Sequence, residues 1–185
     1  MKSVIQRNSL SRHLVSDPIG WAIGVILCLI FQSNPVPAVP IEEDPNGFEG
    51  IPWGTILSDK DTFLKVEDTG DTQTFERKDR PPALGTTPVD TIRFLTFHNR
   101  FGRVTVRYSG KSTHEAIIAH LESTYGRLDR TPGQIAVGPV KVYAWHGFNT
   151  EITLRFEAGI ERGIIFFESR TLPERWSDEG PSTVF

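Results

Sequence analysis

Cysteine is nearly absent: the 185 residues hold one, Cys28. It lies in an apolar run near the N-terminus, so the chain beyond it has no disulfide framework, no thiolate metal site and no cysteine nucleophile. A basic excess is lacking as well. The formal net charge of −3 argues against a domain that grips nucleic-acid phosphates. Compositional bias towards disorder is missing too, because 38% hydrophobic and 23% charged residues are ordinary values for a globular chain. The apolar run from Ile19 to Phe31 falls short of the ~20 residues that cross a bilayer.

That run has the length of a signal-peptide core. Lys2, Arg7 and Arg12 precede it, and Val36-Pro37-Ala38 places small residues at the −3 and −1 positions of a cleavage site. Residues 1–38 therefore read as a cleaved signal peptide, with an uncleaved N-terminal membrane anchor as the alternative. Leu27 before Cys28 argues against lipidation, whose processing enzyme needs a small residue there. Cleavage would remove the only cysteine. The expected location is periplasmic or secreted, with no membrane insertion after cleavage.

Residues 39–47 read as a proline-rich, acidic linker, 48–170 as one folded domain, and 171–185 as a polar, flexible tail. Within the domain most segments alternate as strands do. Segments 63–67 and 72–78 predict a hairpin around Gly70, and 89–98 and 102–109 a second one through Asn99 and Arg100. Segments 140–147, 150–157 and 162–169 are joined by connections too short for anything but antiparallel neighbours. Residues 112–126 instead carry helical periodicity, with Ile117, Ile118, Leu121 and Tyr125 on one stripe. Ser112 and Glu115 have capping-box spacing and Gly126 closes the helix. The expected fold is α+β: an antiparallel sheet of about six to seven strands packed by one main helix.

Several chemistries can be declined. Gly110-Lys111-Ser112 follows a strand and opens a helix, but a phosphate loop needs a glycine where Thr105 stands. His114 and Glu115 suggest a zinc helix, yet the next histidine, His120, is six residues on rather than four. No G-x-S-x-G elbow is present. Glu42–Glu43 and Asp59–Asp61 read as solvated charges. Arg93, Arg100, Arg103, Arg107 and Arg127 read as a wet sheet face rather than a binding patch. His98 and His146 each end a strand and are the remaining pair with catalytic potential. No catalytic residue, metal or cofactor is nominated.

The stretch Gly47 to Asp59 is the most distinctive. Ile51 and Trp53 alternate around Pro52, and Gly50 and Gly54 permit a positive φ or a close approach. Thr55 is placed to cap a turn through Asp59. We read Gly50, Ile51, Trp53, Gly54 and Thr55 as a structural motif in which Trp53 plugs one end of the core. The pattern F-x-G-I-x-W-G-T, Phe48 to Thr55, resembles the opening of the mature domain in a group of small exported bacterial proteins. So do the paired hairpins, the helix ending at Tyr125–Gly126 and the closing aromatic-rich strands. The resemblance spans residues 48–170 and implies no activity, since none is assigned to that group.

The function expected is that of a non-catalytic binding module of the cell envelope, whose partner is a protein, a peptide or a small ligand. Tyr143, Trp145 and His146 are its candidate binding residues, the two aromatics being taken as exposed. The alternatives are a small hydrolase built on His98 and His146, and a structural subunit that recruits a partner strand at a sheet edge.

Overall fold

Short connections between alternating segments leave each strand little choice but to fold back on its predecessor. The computed structural model describes residues 38–128 and 134–172. In chain order it places β1 (Val39–Pro40), β2 (Gly47–Phe48), β3 (Ile51–Pro52), β4 (Phe63–Asp68) and β5 (Thr72–Arg77). Next come β6 (Ala83–Leu84), β7 (Thr87–Pro88), β8 (Thr91–Phe97) and β9 (Arg100–Ser109). The helix α1 (Lys111–Tyr125) is followed by β10 (Gln134–Val137), β11 (Val140–His146), β12 (Thr150–Glu157) and β13 (Arg162–Ser169).

The result is an α+β architecture in which one large sheet is packed by one helix among the described residues. Its strand order is β1-β11-β12-β13-β9-β8-β5-β4, and β10 also pairs with β11. Nine strands therefore replace the six to seven expected. Neither is the sheet wholly antiparallel, because β1 runs parallel to β11 with Val39 beside Trp145. Two-residue strands such as β1 carry no readable alternation, which is why Val39–Pro40 passed for linker. Ile41, in the same stretch, is buried and bonds its N–H to the His146 carbonyl at 2.8 Å. Residues 1–37 and 173–185, with the expected signal core and most of the tail, lie outside the described residues.

Turn chemistry sets the hairpins. Between β2 and β3, Glu49 and Gly50 have φ of 50° and 76°, the two positive values of a primed turn that matches strand twist. Between β8 and β9 the same geometry falls on His98 and Asn99, at φ of 46° and 63°. The turn thus sits one residue before the Asn99–Arg100 pair expected. His98 is a turn residue there, bonded through its N–H to the Asp71 carbonyl at 2.8 Å.

One face of the sheet carries Val104, Val106 and Tyr108 of β9, Ile152, Leu154 and Phe156 of β12, and Ile165 and Phe167 of β13, all buried. Register aligns them in rows, Leu154 with Ile165 and Ile165 with Val106. Ile117 and Leu121 of α1 close over them, both fully buried. The helix begins differently from expectation. Gly110 is the N-cap and no side chain caps it, so Ser112 and Glu115 form no capping box. The first N–H groups turn instead to the β12–β13 loop: Gly110 donates to the Glu161 carbonyl at 2.8 Å and Lys111 to its carboxylate at 3.2 Å. Gly126 ends the helix, at φ 111°.

Candidate functional site

The Gly47–Asp59 stretch lies over the end of the sheet that α1 leaves open. Phe48 packs edge-on against Phe94 and Phe167, at ring separations of 5.8 and 4.7 Å. Trp53 lies 4.8 Å from the Phe101 ring and donates its indole N–H to Thr150 Oγ1 at 3.0 Å. Gly54, at φ 81°, bonds the Phe101 carbonyl through its N–H at 2.7 Å. Ile51 is partly buried against the same core. Thr55 donates its hydroxyl back to the Pro52 carbonyl at 2.7 Å, rather than capping a turn towards Asp59.

The aromatics nominated for binding lie elsewhere than expected. Tyr143 and Trp145 are not exposed: their positions on β11 point inward, and Trp145 is 0% exposed. Its indole N–H is consumed by the Gly126 carbonyl at 2.8 Å. His146, one residue on, faces the opposite side, where its Nε2 sits 3.1 Å from Glu151. His98 and His146 do not converge. Their strands are separated by β9, β13 and β12, four spacings of about 4.8 Å.

The histidine that does occupy a chemically distinctive place is His114. It falls on the buried side of α1 with Ile117 and Leu121. The Tyr108 hydroxyl lies 2.8 Å from its Nδ1 and the Tyr143 hydroxyl 3.4 Å from its Nε2. Its ring stacks on Phe156 at 3.8 Å with an interplanar angle of 4°. A neutral imidazole donates from one nitrogen and accepts at the other, while a tyrosine hydroxyl can do either, so both nitrogens are satisfied. Burial, helped by the positive charge of Lys141, lowers the His114 pKa to about 4. Burial likewise pushes both tyrosines up, with Tyr143 adding to Tyr108 and Glu122 to Tyr143. At neutral pH the three groups form an uncharged, hydrogen-bonded network.

A glycine makes room for this network. Gly163 lies opposite Tyr108 in the β9–β13 register. A Cβ built there would stand 2.0 Å from the phenol Cζ, so the Tyr108 ring lies directly over the bare backbone.

Beside the network, between α1 and the sheet, opens a groove of about 580 Å³. Ile118 and Ala119 line the helix wall, Phe156 and Ala158 the sheet wall, and His114 and Tyr143 the inner end. Its charged residues differ in how far they are engaged. Glu161 holds the Lys111 N–H, Glu115 approaches Lys111 Nζ at 4.0 Å, and Glu122 accepts the Leu128 N–H at 2.9 Å. Lys141, exposed on β11, forms no ion pair among the described residues. Sequence reading passed over His114 because it tested that residue only as half of a zinc motif. Its spacing of three from Ile117 was the available signal that it is buried.

On the other face of the sheet the arginines separate. Arg93, Arg103 and Arg107 share that face, Arg93 at 3.3 Å from Glu76 and Arg103 at 2.5 Å from Glu168. Burial raises the Glu168 pKa against the pull of Arg103. Arg100 instead reaches the Gly54 carbonyl at 3.3 Å, and Arg127 follows the helix. Among the described residues no three His, Cys, Asp or Glu side chains form a metal-ligand set. No helix of the described residues is long and apolar enough to cross a membrane. No family model matches the chain, and neither curated proteins nor solved structures provide a match.

Proposed function

We propose that this chain is an exported, non-catalytic binding module of the cell envelope, and that the groove beside α1 is its ligand site. The observation that carries the reading is the groove's unequal charge engagement. Each acid around it already has a partner, whereas Lys141 forms no ion pair among the described residues, beside the apolar walls of Phe156 and Ile118. A small amphipathic molecule fits that chemistry: its apolar part lies on Phe156 and Ile118 while an acidic group meets Lys141. The His114–Tyr143 end is itself uncharged at neutral pH. Export rests on Lys2, Arg7 and Arg12 ahead of the Ile19–Phe31 run, and agrees with the resemblance through Phe48–Thr55.

The hydrolase alternative loses its two histidines, which stand four strands apart. Strand recruitment finds poor edges. β11 is flanked by β10 and β1, and β4 at the opposite end carries a bulge between Lys65 and Glu67, features that blunt pairing.

Titration with 8-anilinonaphthalene-1-sulfonate, an amphipathic anion whose fluorescence rises in apolar surroundings, tests the site. Binding should saturate with one site per chain. Lys141→Glu should weaken it about tenfold, the worth of one charge-assisted contact, and Ala119→Trp should abolish it by filling the groove. Both variants should melt at the wild-type temperature, since both positions are exposed. Unchanged affinity in both folded variants would place the ligand site elsewhere.

A further inference from the structure

The loop joining β11 to β12 presents Phe148 to solvent, and its side chain is 86% exposed. A single exposed apolar residue on a mobile loop would need no explanation. This loop is tied down on every side. Asp44 accepts the N–H groups of Asn149 and Thr150 at 2.5 and 3.1 Å and the Thr150 hydroxyl at 2.7 Å. Arg170 donates its guanidinium to the Gly147 carbonyl at 2.5 Å and its N–H to the Asn149 carbonyl at 2.8 Å. Gly147 closes the turn with an N–H bond to the Thr150 carbonyl at 2.7 Å. A Cβ at Gly147 would come within 2.4 Å of the Asp44 carboxylate, so the bare backbone is what admits the clamp. Burial alone would raise the Asp44 pKa, but the bonds from Thr150, Asn46 and Asn149 outweigh it and hold the carboxyl below its ordinary value.

Two neighbouring segments, through Asp44 and Arg170, thus fix the loop backbone while its one large apolar side chain is left exposed among the described residues. An aromatic held rigid before contact loses little entropy on docking, which is how interface anchors gain affinity. The surroundings carry a sign. Glu42 and Glu43 are exposed on the segment between Ile41, bonded to His146, and Asp44, bonded to the loop. Glu151 stands at the start of β12, and Arg170 is the nearby cation. We infer that Phe148 is a docking residue for a protein partner that offers an apolar pocket rimmed by lysine and arginine. An anionic lipid surface fits less well, since the acidic rim is repelled by it.

Photo-crosslinking in the native host tests this with the full chain. The reactive residue p-benzoylphenylalanine replaces Phe148 or, as control, Ile160, which is 48% exposed at the next hairpin turn. Position 148 should give one dominant protein adduct and position 160 none. The adduct should fall at least fivefold when Glu42→Lys and Glu43→Lys are combined, and the partner's crosslinked peptide should hold apolar residues flanked by Lys or Arg. Phe148→Ser should leave the melting temperature unchanged, which keeps loss of docking distinct from loss of fold. A lipid adduct, an adduct to a second copy, no adduct, or a protein adduct indifferent to the charge reversal would each overturn the inference.

Discussion

Two lids cover one face of this sheet, and they are built on opposite principles. The lid formed by Gly47–Asp59 is dry and aromatic: Phe48 and Trp53 interlock with Phe94, Phe101 and Phe167 at ring distances of 4.7 to 5.8 Å. The lid formed by α1 seals with Ile117 and Leu121, yet at its N-terminal end it buries the Tyr108–His114–Tyr143 network and leaves a groove beside it. Close-packed apolar contact stabilises a fold, but leaves a ligand nowhere to bind. The incomplete closure over the polar network is what makes the helix side the candidate site.

The sharpest way to break the contrast is to empty the dry lid. Phe48→Ala should cost about 3–5 kcal/mol, the range for truncating a buried phenylalanine, read as a lowered urea midpoint. A midpoint close to wild type would mean that this lid does not hold the sheet.

The helix side should instead reveal itself through pH. His114 is neutral in the folded protein down to about pH 4, whereas an unfolded chain protonates it near its ordinary value of ~6.5. Between those values the unfolded state binds more protons, so stability falls as pH drops through the window and levels off below it. The loss should amount to about 3 kcal/mol. Urea unfolding at intervals from pH 7.5 to 4 measures it, and His114→Phe should flatten the slope. An equal slope in that variant would assign the titration to another group.

Gly163→Ala distinguishes the sides by space rather than charge. The added methyl collides with the Tyr108 ring, and overpacking of this kind costs about 1–3 kcal/mol. Combined with Tyr108→Ala it should cost less than the sum of the two single variants, and an additive double variant would show that the ring does not rest on Gly163. Smallest of all, Lys141→Ala should alter stability by less than about 0.5 kcal/mol, as exposed substitutions do, while weakening binding of the amphipathic probe.

Legibility in the sequence followed the length of the pattern. Strands β12 and β13 and the helix stripe were readable because six or more residues repeat one period, as Ile152, Leu154 and Phe156 do. Strand β1 was hidden because Val39 and Pro40 offer no period and their partners lie over a hundred residues away. The helix start misled because the acceptor of its first N–H groups is Glu161, from a distant loop. Tyr143 and Trp145 looked like exposed binding aromatics because alternation reveals that two faces exist and leaves open which one is covered. The groove was out of reach altogether: it depends on where Lys141 and Phe156 stand relative to α1.

The Asp44 clamp has a consequence for how the chain acquires its structure. Asp44 and Trp53 meet Thr150 across sequence separations of 106 and 97 residues. Synthesis in N-to-C order therefore releases the aromatic lid and the clamp long before their partners exist. Contacts of such high order form slowly, since a long loop must close before any energy is returned. Segment 38–55 thus cannot make all of its native contacts until β12 and β13 have been made. The first segment of the domain to be synthesised therefore depends for its anchorage on strands synthesised about a hundred residues later.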